Sequence, residues 1–391
     1  MLPRRVRAGL SLAAGCLIMT SIGAGYAISA WNAQLKAYLQ MDQSQIAFTI
    51  VVGTILLPLL YALLSMLTAA KSSPLALALA LGCIGLSSQF AGIVSLGANE
   101  GLYGERHRGL VLGLLLSCFS AGGAVFSLLY KTFFNDHVAA YFSFMSAETL
   151  LVCGLGVLLL LPHDDEVAKH EYAAIDADVN VTGWALTKDV RFWYLFFAVL
   201  IGVGSGLFVM ANLAFLLESA GGAPDAVAPY VSLFSLCNLV GRLVVGHLSD
   251  TYLATWTRAS FLGLGLAMTM LGQVLFVLAP LGWFFVPVAV GGIAEGFLFP
   301  TYTVLTRELF GAKYFGENFG AMTLANAIGF PLLLGPLSSR LYRIASALDP
   351  TSGAEVCVGR HCFFWLFAIA FGLNGLGLYC AYKLHLATRT S

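Results

Sequence analysis

A chain of 391 residues that is 59% apolar and 10% charged, with a mean hydropathy of +0.85, has too little polar surface to cover a soluble protein of that size. Its 20 basic and 20 acidic residues cancel to a formal net charge of zero, and no segment is basic and aromatic enough to bind nucleic acid. Apolar runs longer than about 18 residues, without the roughly ten-residue alternation of a membrane barrel, leave an all-α polytopic membrane protein with the lipid bilayer as its main partner.

Basic Arg4, Arg5 and Arg7 precede a first apolar run, Ala8 to Ala30, which is too long for a cleavable signal and suits a first span. A short amphipathic piece, WNAQLKAYLQMDQSQ, follows. Further spans read as Ile46 to Ala70, Pro74 to Ala98, Leu110 to Phe133 and Val138 to Leu161, five in this half. The mixed-charge segment HDDEVAKHEYAAIDADVNVTGWALTKD has no apolar period and belongs in water. The predicted organisation is an N-terminal helical bundle over 1–162, a cytoplasmic linker over 163–190 and a C-terminal bundle over 191–391.

The second half holds six predicted spans: Phe192 to Leu217, Tyr230 to Leu248, Ala259 to Leu278, Trp283 to Leu305, Phe319 to Leu341 and Cys362 to Leu384. One of them contains the most informative stretch, Ser232 to Asp250, SLFSLCNLVGRLVVGHLSD. There Asn238, Arg242, Gly246 and Asp250 recur every fourth residue and drift along one face, while Gly241 and Gly246 leave room for a neighbouring backbone. Arg242 can extend its head towards the interface, whereas Asp250 at the C-terminal end meets the unfavourable pole of the helix dipole and needs a partner. The expected partner is the N-terminal end of the helix that starts at Arg108-Gly109, a contact that would serve as a cytoplasmic gate. An ordinary span with snorkelling ends is the plain alternative.

Six of the eight cysteines, Cys16, Cys83, Cys118, Cys153, Cys237 and Cys380, fall within apolar runs and act as small hydrophobes. Cys357 and Cys362 lie in a polar loop at a spacing that closes a small disulfide in an oxidising compartment. His361 between them is a third metal ligand by type, but three ligands so close in sequence rarely form a tetrahedron, so no metal or other cofactor is expected.

An internal repeat relates the span led by Arg108-Gly109, ending at Leu129-Tyr130, to the span led by Phe319-Gly320, ending at Leu341-Tyr342. Each would be the fifth of a six-helix unit, so the first half lacks one span and eleven stand where the repeat implies another. Basic residues at both termini also favour an even count, with the linker, Arg258, the Arg307 to Lys313 loop and the C-terminus cytoplasmic and the Cys357 loop outside. Either the coding sequence lacks a segment near Lys71, or the architecture is truly eleven-span.

With these motifs the chain resembles the nodulin-like branch of the major facilitator superfamily, which is similar to monocarboxylate transporters. The first-half resemblance rests on Gly25-Tyr26, Trp31, Leu35-Lys36, Leu39 and Gln43. In the second half it rests on Asn238, Gly241-Arg242 and Gly246, on Glu308-Leu309-Phe310-Gly311 with Tyr314 and Gly316, on Cys357, Gly359 and Cys362-Phe363, and on Arg389-Thr390. The first half departs by lacking a glycine-rich cytoplasmic loop, and Ala211 stands before Asn212 where the branch usually has an Asp-Asn pair. The resemblance implies alternating access, with two bundles rocking around a central cavity and a small molecule or ion held near the membrane midplane in a monomer.

Glu295, ionisable near the middle of a span, is the sharpest candidate: it either carries a proton or a cationic group, or is a protonated carboxyl bonded to a neighbouring helix. Glu148 is a second intramembrane acid, on a helix that reads as support. Tyr26, Gln89, Asn212 and Asn326 line the cavity by repeat position or form interhelical hydrogen bonds. No nucleophile, base or phosphate loop stands out, so an enzyme is not expected. The reading is a secondary transporter of a small solute, coupled or not to protons; a non-transporting receptor or sensor, or a transporter inactivated by a missing segment, are the alternatives. The membrane is either the plasma membrane or that of an organelle.

Overall fold

The structure is a computed structural model that describes residues 4–23, 58–100, 108–134, 137–159, 181–223, 226–252, 255–311, 314–348 and 355–389. Among the described residues the regular structure is helical apart from one two-residue antiparallel pair, Ala347–Leu348 with Glu355–Val356. Among the described residues eight helices are long and apolar enough to cross a membrane, and Ala8–Ile22, Leu59–Ala69 and Pro74–Gly85 are shorter apolar helices. The chain divides into two compact units, Met1–Glu105 with Leu114–Pro162, and Arg106–Gly113 with His163–Ser391.

In the first unit α1 (Arg4–Ile22) packs on α3 (Pro74–Glu100) and α5 (Val138–Leu159), and α2 (Leu59–Ala69) packs on α5 and α3. The α2–α3 connection is a tight reverse turn at Lys71, whose φ of 49° is left-handed, with the Ser72 N–H donating to the Leu67 carbonyl at 3.0 Å. Pro74 opens α3, where its missing N–H costs nothing. α4 (Arg108–Leu129) continues as a π-helical turn, Tyr130–Phe134, in which Tyr130 meets Tyr141 edge-on with ring centroids 5.1 Å apart. The first turns of α4, expected in the N-terminal bundle, cluster with the second unit, while the rest of the same helix belongs to the first.

The second unit is built on α6 (Val190–Ala211), α8 (Val227–Thr251), α9 (Arg258–Leu278), α10 (Phe285–Phe310) and α13 (His361–Arg389), with α10 packed on α8, α9 and α6, and α13 on α9 and α6. One predicted single span is broken and another is continuous but locally widened. The run from Phe192 to Leu217 ends as α6 at Asn212, whose φ of −110° leaves the helical region, and resumes as the short α7 (Leu213–Ser219). The run from Phe319 to Leu341 lies within one continuous span, Phe315–Ala345, that passes from α11 (Phe315–Ala327) through a π-helical stretch Ile328–Leu334 into α12 (Gly335–Ala345). Pro331 lies inside that stretch, and a residue with no N–H cannot continue the i to i−4 ladder, so the turn widens around it. An aromatic core of Phe208, Phe234, Phe284, Phe363 and Phe367 fills one end of this unit.

α6 starts at a built cap. The Asp189 carboxylate accepts the Arg191 N–H at 2.8 Å and the Arg191 Nη2–H at 2.6 Å. Burial alone would raise this carboxyl, but the hydrogen bonds and charge of Arg191 outweigh it and hold it below the usual carboxylate range. The cap therefore contributes stability above the ordinary carboxylate pKa and loses it as pH falls towards the lowered value. Asp189→Ala is expected to cost about 1 kcal/mol of stability at neutral pH. Thermal unfolding of the detergent-solubilised protein measures this, and the gap from wild type should narrow in acid.

Candidate functional site

Two constellations of polar groups in the second unit meet on α8. The first is at its C-terminal end. Asp250 Oδ1 accepts the Gly109 N–H at 3.2 Å and Oδ2 accepts the Leu110 N–H at 2.8 Å, so the carboxylate sits on the N-terminal end of α4, where free amides and the helix dipole both favour an anion. Asp250 also accepts from Arg258 Nη2 at 2.9 Å. Arg258 is itself buried, donating through Nε to Glu308 at 2.7 Å and through Nη1 to the Ser249 hydroxyl at 2.7 Å. One guanidinium thus joins α9, both acids and the end of α8, and α4 joins through Asp250.

This approach of helices needs glycine. A Cβ on Gly246 would stand 2.7 Å from the Gly109 carbonyl oxygen, and one on Gly241 would stand 2.7 Å from the Ile293 carbonyl oxygen of α10. The side chain of Arg108, expected in the same node, lies outside what the structure describes.

The second constellation is deeper. Arg242 is not extended towards the interface: it is fully buried, its Nε donates to Asn238 Oδ1 at 2.6 Å, and its guanidinium carbon stands 4.6 Å from the centroid of the Phe299 ring. The hydrogen bond and the ring face together replace the water this cation would otherwise need. Glu295, near the middle of α10, is 1% exposed, and neither carboxyl oxygen has a hydrogen-bond partner among the described residues. Its carboxyl lies in the notch left by Gly206 of α6, and Arg242 is close enough for the two charges to interact.

The other predicted residues are dispersed. Asn326 donates to the Tyr302 hydroxyl at 3.3 Å, and Asn212 donates to the Phe208 carbonyl at 3.0 Å beside the break in α6. In the first unit Glu148 accepts from the Ser21 hydroxyl at 2.8 Å, an interhelical hydrogen bond between α5 and α1. Tyr26 and the side chain of Gln89 lie outside the described residues. Cys357 and Cys362 are joined in a disulfide with Cα atoms 5.8 Å apart, which leaves only the His361 ring of that trio as a metal ligand.

Sequence reasoning passed over three groups. Arg258 served only as a topological marker, and Glu308 only as part of a motif. The buried cluster in which Gln273 and Asn374 both donate to the Ser205 hydroxyl, at 3.3 and 2.9 Å, was also passed over. Its signal was three uncharged polar residues within otherwise apolar spans.

Residues 9–336 match the Major Facilitator Superfamily model, and the chain belongs to that superfamily. It is similar to a protein named probable transporter MCH1 from Yarrowia lipolytica, 24% identical over 266 residues, covering 62% of this chain and 53% of that one. It is also similar to protein NUCLEAR FUSION DEFECTIVE 4 from Arabidopsis thaliana, 25% identical over 210 residues, covering 52% of this chain and 35% of the relative. The uncharacterised MFS-type transporter YhjX of Escherichia coli is 24% identical over 349 residues, covering 82% and 85%. The chain spans about half the length of the Yarrowia relative and about a third of the Arabidopsis one. These relatives accord with the nodulin-like branch read from the motifs, and the chain is an integral, multi-pass membrane protein.

The Gly206 notch makes a specific prediction. Gly206→Ala should drive the new methyl into the Glu295 carboxyl and destabilise the protein by about 1–3 kcal/mol, the usual cost of overpacking. Glu295→Ala in the same chain should recover most of that loss. A thermal-denaturation cycle over the four variants measures the coupling, and additive losses would mean that the two residues do not meet.

Proposed function

We propose that this protein is a secondary transporter that moves a small solute by alternating access and couples the movement to a proton at Glu295. The observation that carries the proposal is a carboxyl buried in the middle of a membrane helix with no hydrogen-bond partner among the described residues. A structural acid in hydrocarbon is expected to be paired, as Asp250 is, because holding it charged and unpaired costs several kcal/mol. A working acid must instead be free to change its proton and its partner as the site opens and closes. Superfamily membership supports the reading, as do two relatives whose names call them transporters.

In the same proposal Asp250, Arg258 and Glu308 form the cytoplasmic gate. Their tie holds the first turn of α4, and that helix runs on into the first unit by chain continuity. Releasing the tie would free α4 and favour opening on the cytoplasmic side. The arginine that serves Asp250 also serves Glu308, so loss of either acid would leave Arg258 with one charge partner.

The test is uptake by the purified chain in sealed vesicles against a panel of organic anions, amino acids, sugars and metal ions, with and without an imposed pH gradient. The expected result is at least one solute whose accumulation the gradient drives. Glu295→Gln should abolish the gradient dependence while leaving exchange of internal for external solute. Asp250→Ala should slow net uptake without removing the gradient dependence. Gradient-driven accumulation that survives Glu295→Gln at the wild-type level would reject the coupling role. A folded chain that moves nothing in the panel would contradict transport and favour a sensor.

A further inference from the structure

A cavity of about 170 Å³ lies in the second unit at the span ends nearest the Cys357–Cys362 loop. It has an aromatic wall: Phe276 and Phe367 stack with centroids 5.5 Å apart, Phe276 meets Phe284 at 5.6 Å, and Phe363 and Leu216 complete the lining. Its roof is the tripeptide Val358-Gly359-Arg360. The Gly359 N–H donates to the Ser219 carbonyl at 2.8 Å, Arg360 Nη2 donates to the Leu278 carbonyl at 3.1 Å, and the disulfide closes the loop around all three residues. The cavity is therefore braced from both sides rather than left by loose packing.

Two polar groups of this cavity have donor capacity that the fold does not use. Ser219 lines it, is 4% exposed, and has a hydroxyl with no hydrogen-bond partner among the described residues, an expensive state for a buried donor. Arg360 also lines it, and beyond the one bond from Nη2 its side chain is exposed at the roof. Arg360 can only donate and the Ser219 hydroxyl can donate as well as accept, so one acceptor serves both, and beside a guanidinium an anionic oxygen fits best.

The setting identifies its source. The cavity lies where α9 ends at Leu278 and α13 begins at His361, beside the Leu281–Trp283 turn that leads into α10, which is the depth of a membrane interface. Leu278, Leu281, Trp283 and Val358 around it are all exposed large apolar side chains, a rim that a soluble anion would leave wet and that lipid would cover. A ring-sized apolar chamber below an anion-binding donor pair matches an acyl segment below a phosphate.

We propose that this cavity is a phospholipid site: the lipid phosphate is held by Arg360 and the Ser219 hydroxyl, and the first part of one acyl chain occupies the aromatic chamber. The site is independent of Glu295 and of whether the protein transports. Lipid occupying it would brace α7, α9 and α13 together, since the lining comes from all three.

The experiment is native mass spectrometry and thermal unfolding of the full chain in detergent, titrated with a short-chain phosphatidylglycerol or with glycerol phosphate, the headgroup without chains. Wild type should bind the lipid saturably and melt at a higher temperature with it, and glycerol phosphate should do neither. Arg360→Gln should weaken lipid binding about tenfold, the expected effect of losing a charged hydrogen bond. Val277→Phe, which fills the chamber, should abolish binding. Ser219→Ala removes only an unpartnered hydroxyl, so it should not lower the lipid-free melting temperature and should still weaken binding; it decides the case if Val277→Phe fails to fold. Equal lipid binding by wild type, Arg360→Gln and Ser219→Ala would overturn the proposal. So would stabilisation by glycerol phosphate as strong as that by lipid, or no saturable lipid binding to wild type.

Discussion

Asp250 stands at the wrong end of its own helix. The C-terminal carbonyls of α8 repel its charge, and what makes the position tenable is a second helix whose first amides are aimed at it, together with a buried arginine. Much of the second unit follows from that requirement. α4 can bring its amides close enough only because Gly246 has no side chain where α8 meets the Gly109 carbonyl. Arg258, taken almost wholly out of water, needs more than one carboxylate oxygen for its fork of donors and finds Glu308 at the end of α10 and the Ser249 hydroxyl. A single ill-placed charge thus goes with the close packing of one helix pair and is tied through Arg258 to the ends of two more helices.

Glu295 presents the opposite case. The same unit that surrounds Asp250 with donors leaves this carboxyl in a glycine notch, with a cation nearby but no hydrogen bond to either oxygen from the described residues. Protein interiors do not leave such groups unsatisfied without cause. In the nearby cluster Gln273 and Asn374 both donate to the Ser205 hydroxyl, although their own side-chain oxygens have no partner among the described residues. Glu295 differs in that neither of its oxygens is bonded among the described residues and in that it alone can take up and release a proton, which is why Glu295 and not Asn374 or Gln273 is assigned the work.

What the amino-acid order disclosed depended on whether the physics was local. The dipole mismatch at Asp250 is a property of one helix and its end, so both the need for a partner and the helix that supplies it could be read from the chain. The gaps at Gly241 and Gly246 were equally plain, since small residues on a span imply a close neighbour whichever neighbour it is. The break at Asn212 was not legible, because a polar residue within an apolar run looks the same whether the helix continues or stops. Pro331 gave a hint of the widened turn that the apolar periodicity masked. Arg242 was read as snorkelling because Asn238 and Phe299 become its substitutes for water only once α8 and α10 are packed together. The three-helix polar cluster around Ser205 was invisible for the same reason: its members are about 70 to 170 positions apart in the chain.

The division between a structural acid and a working one is the centre of this account. It is tested most directly by labelling the reconstituted protein with a hydrophobic carbodiimide, which reacts with protonated carboxyls in apolar surroundings, and locating the adducts by mass spectrometry across a pH series. The account predicts that Glu295 is labelled, that its labelling changes with pH, and that Asp250, bonded to the amides of α4 and to Arg258, is not labelled. Labelling of Asp250 with Glu295 inert throughout the series would contradict it.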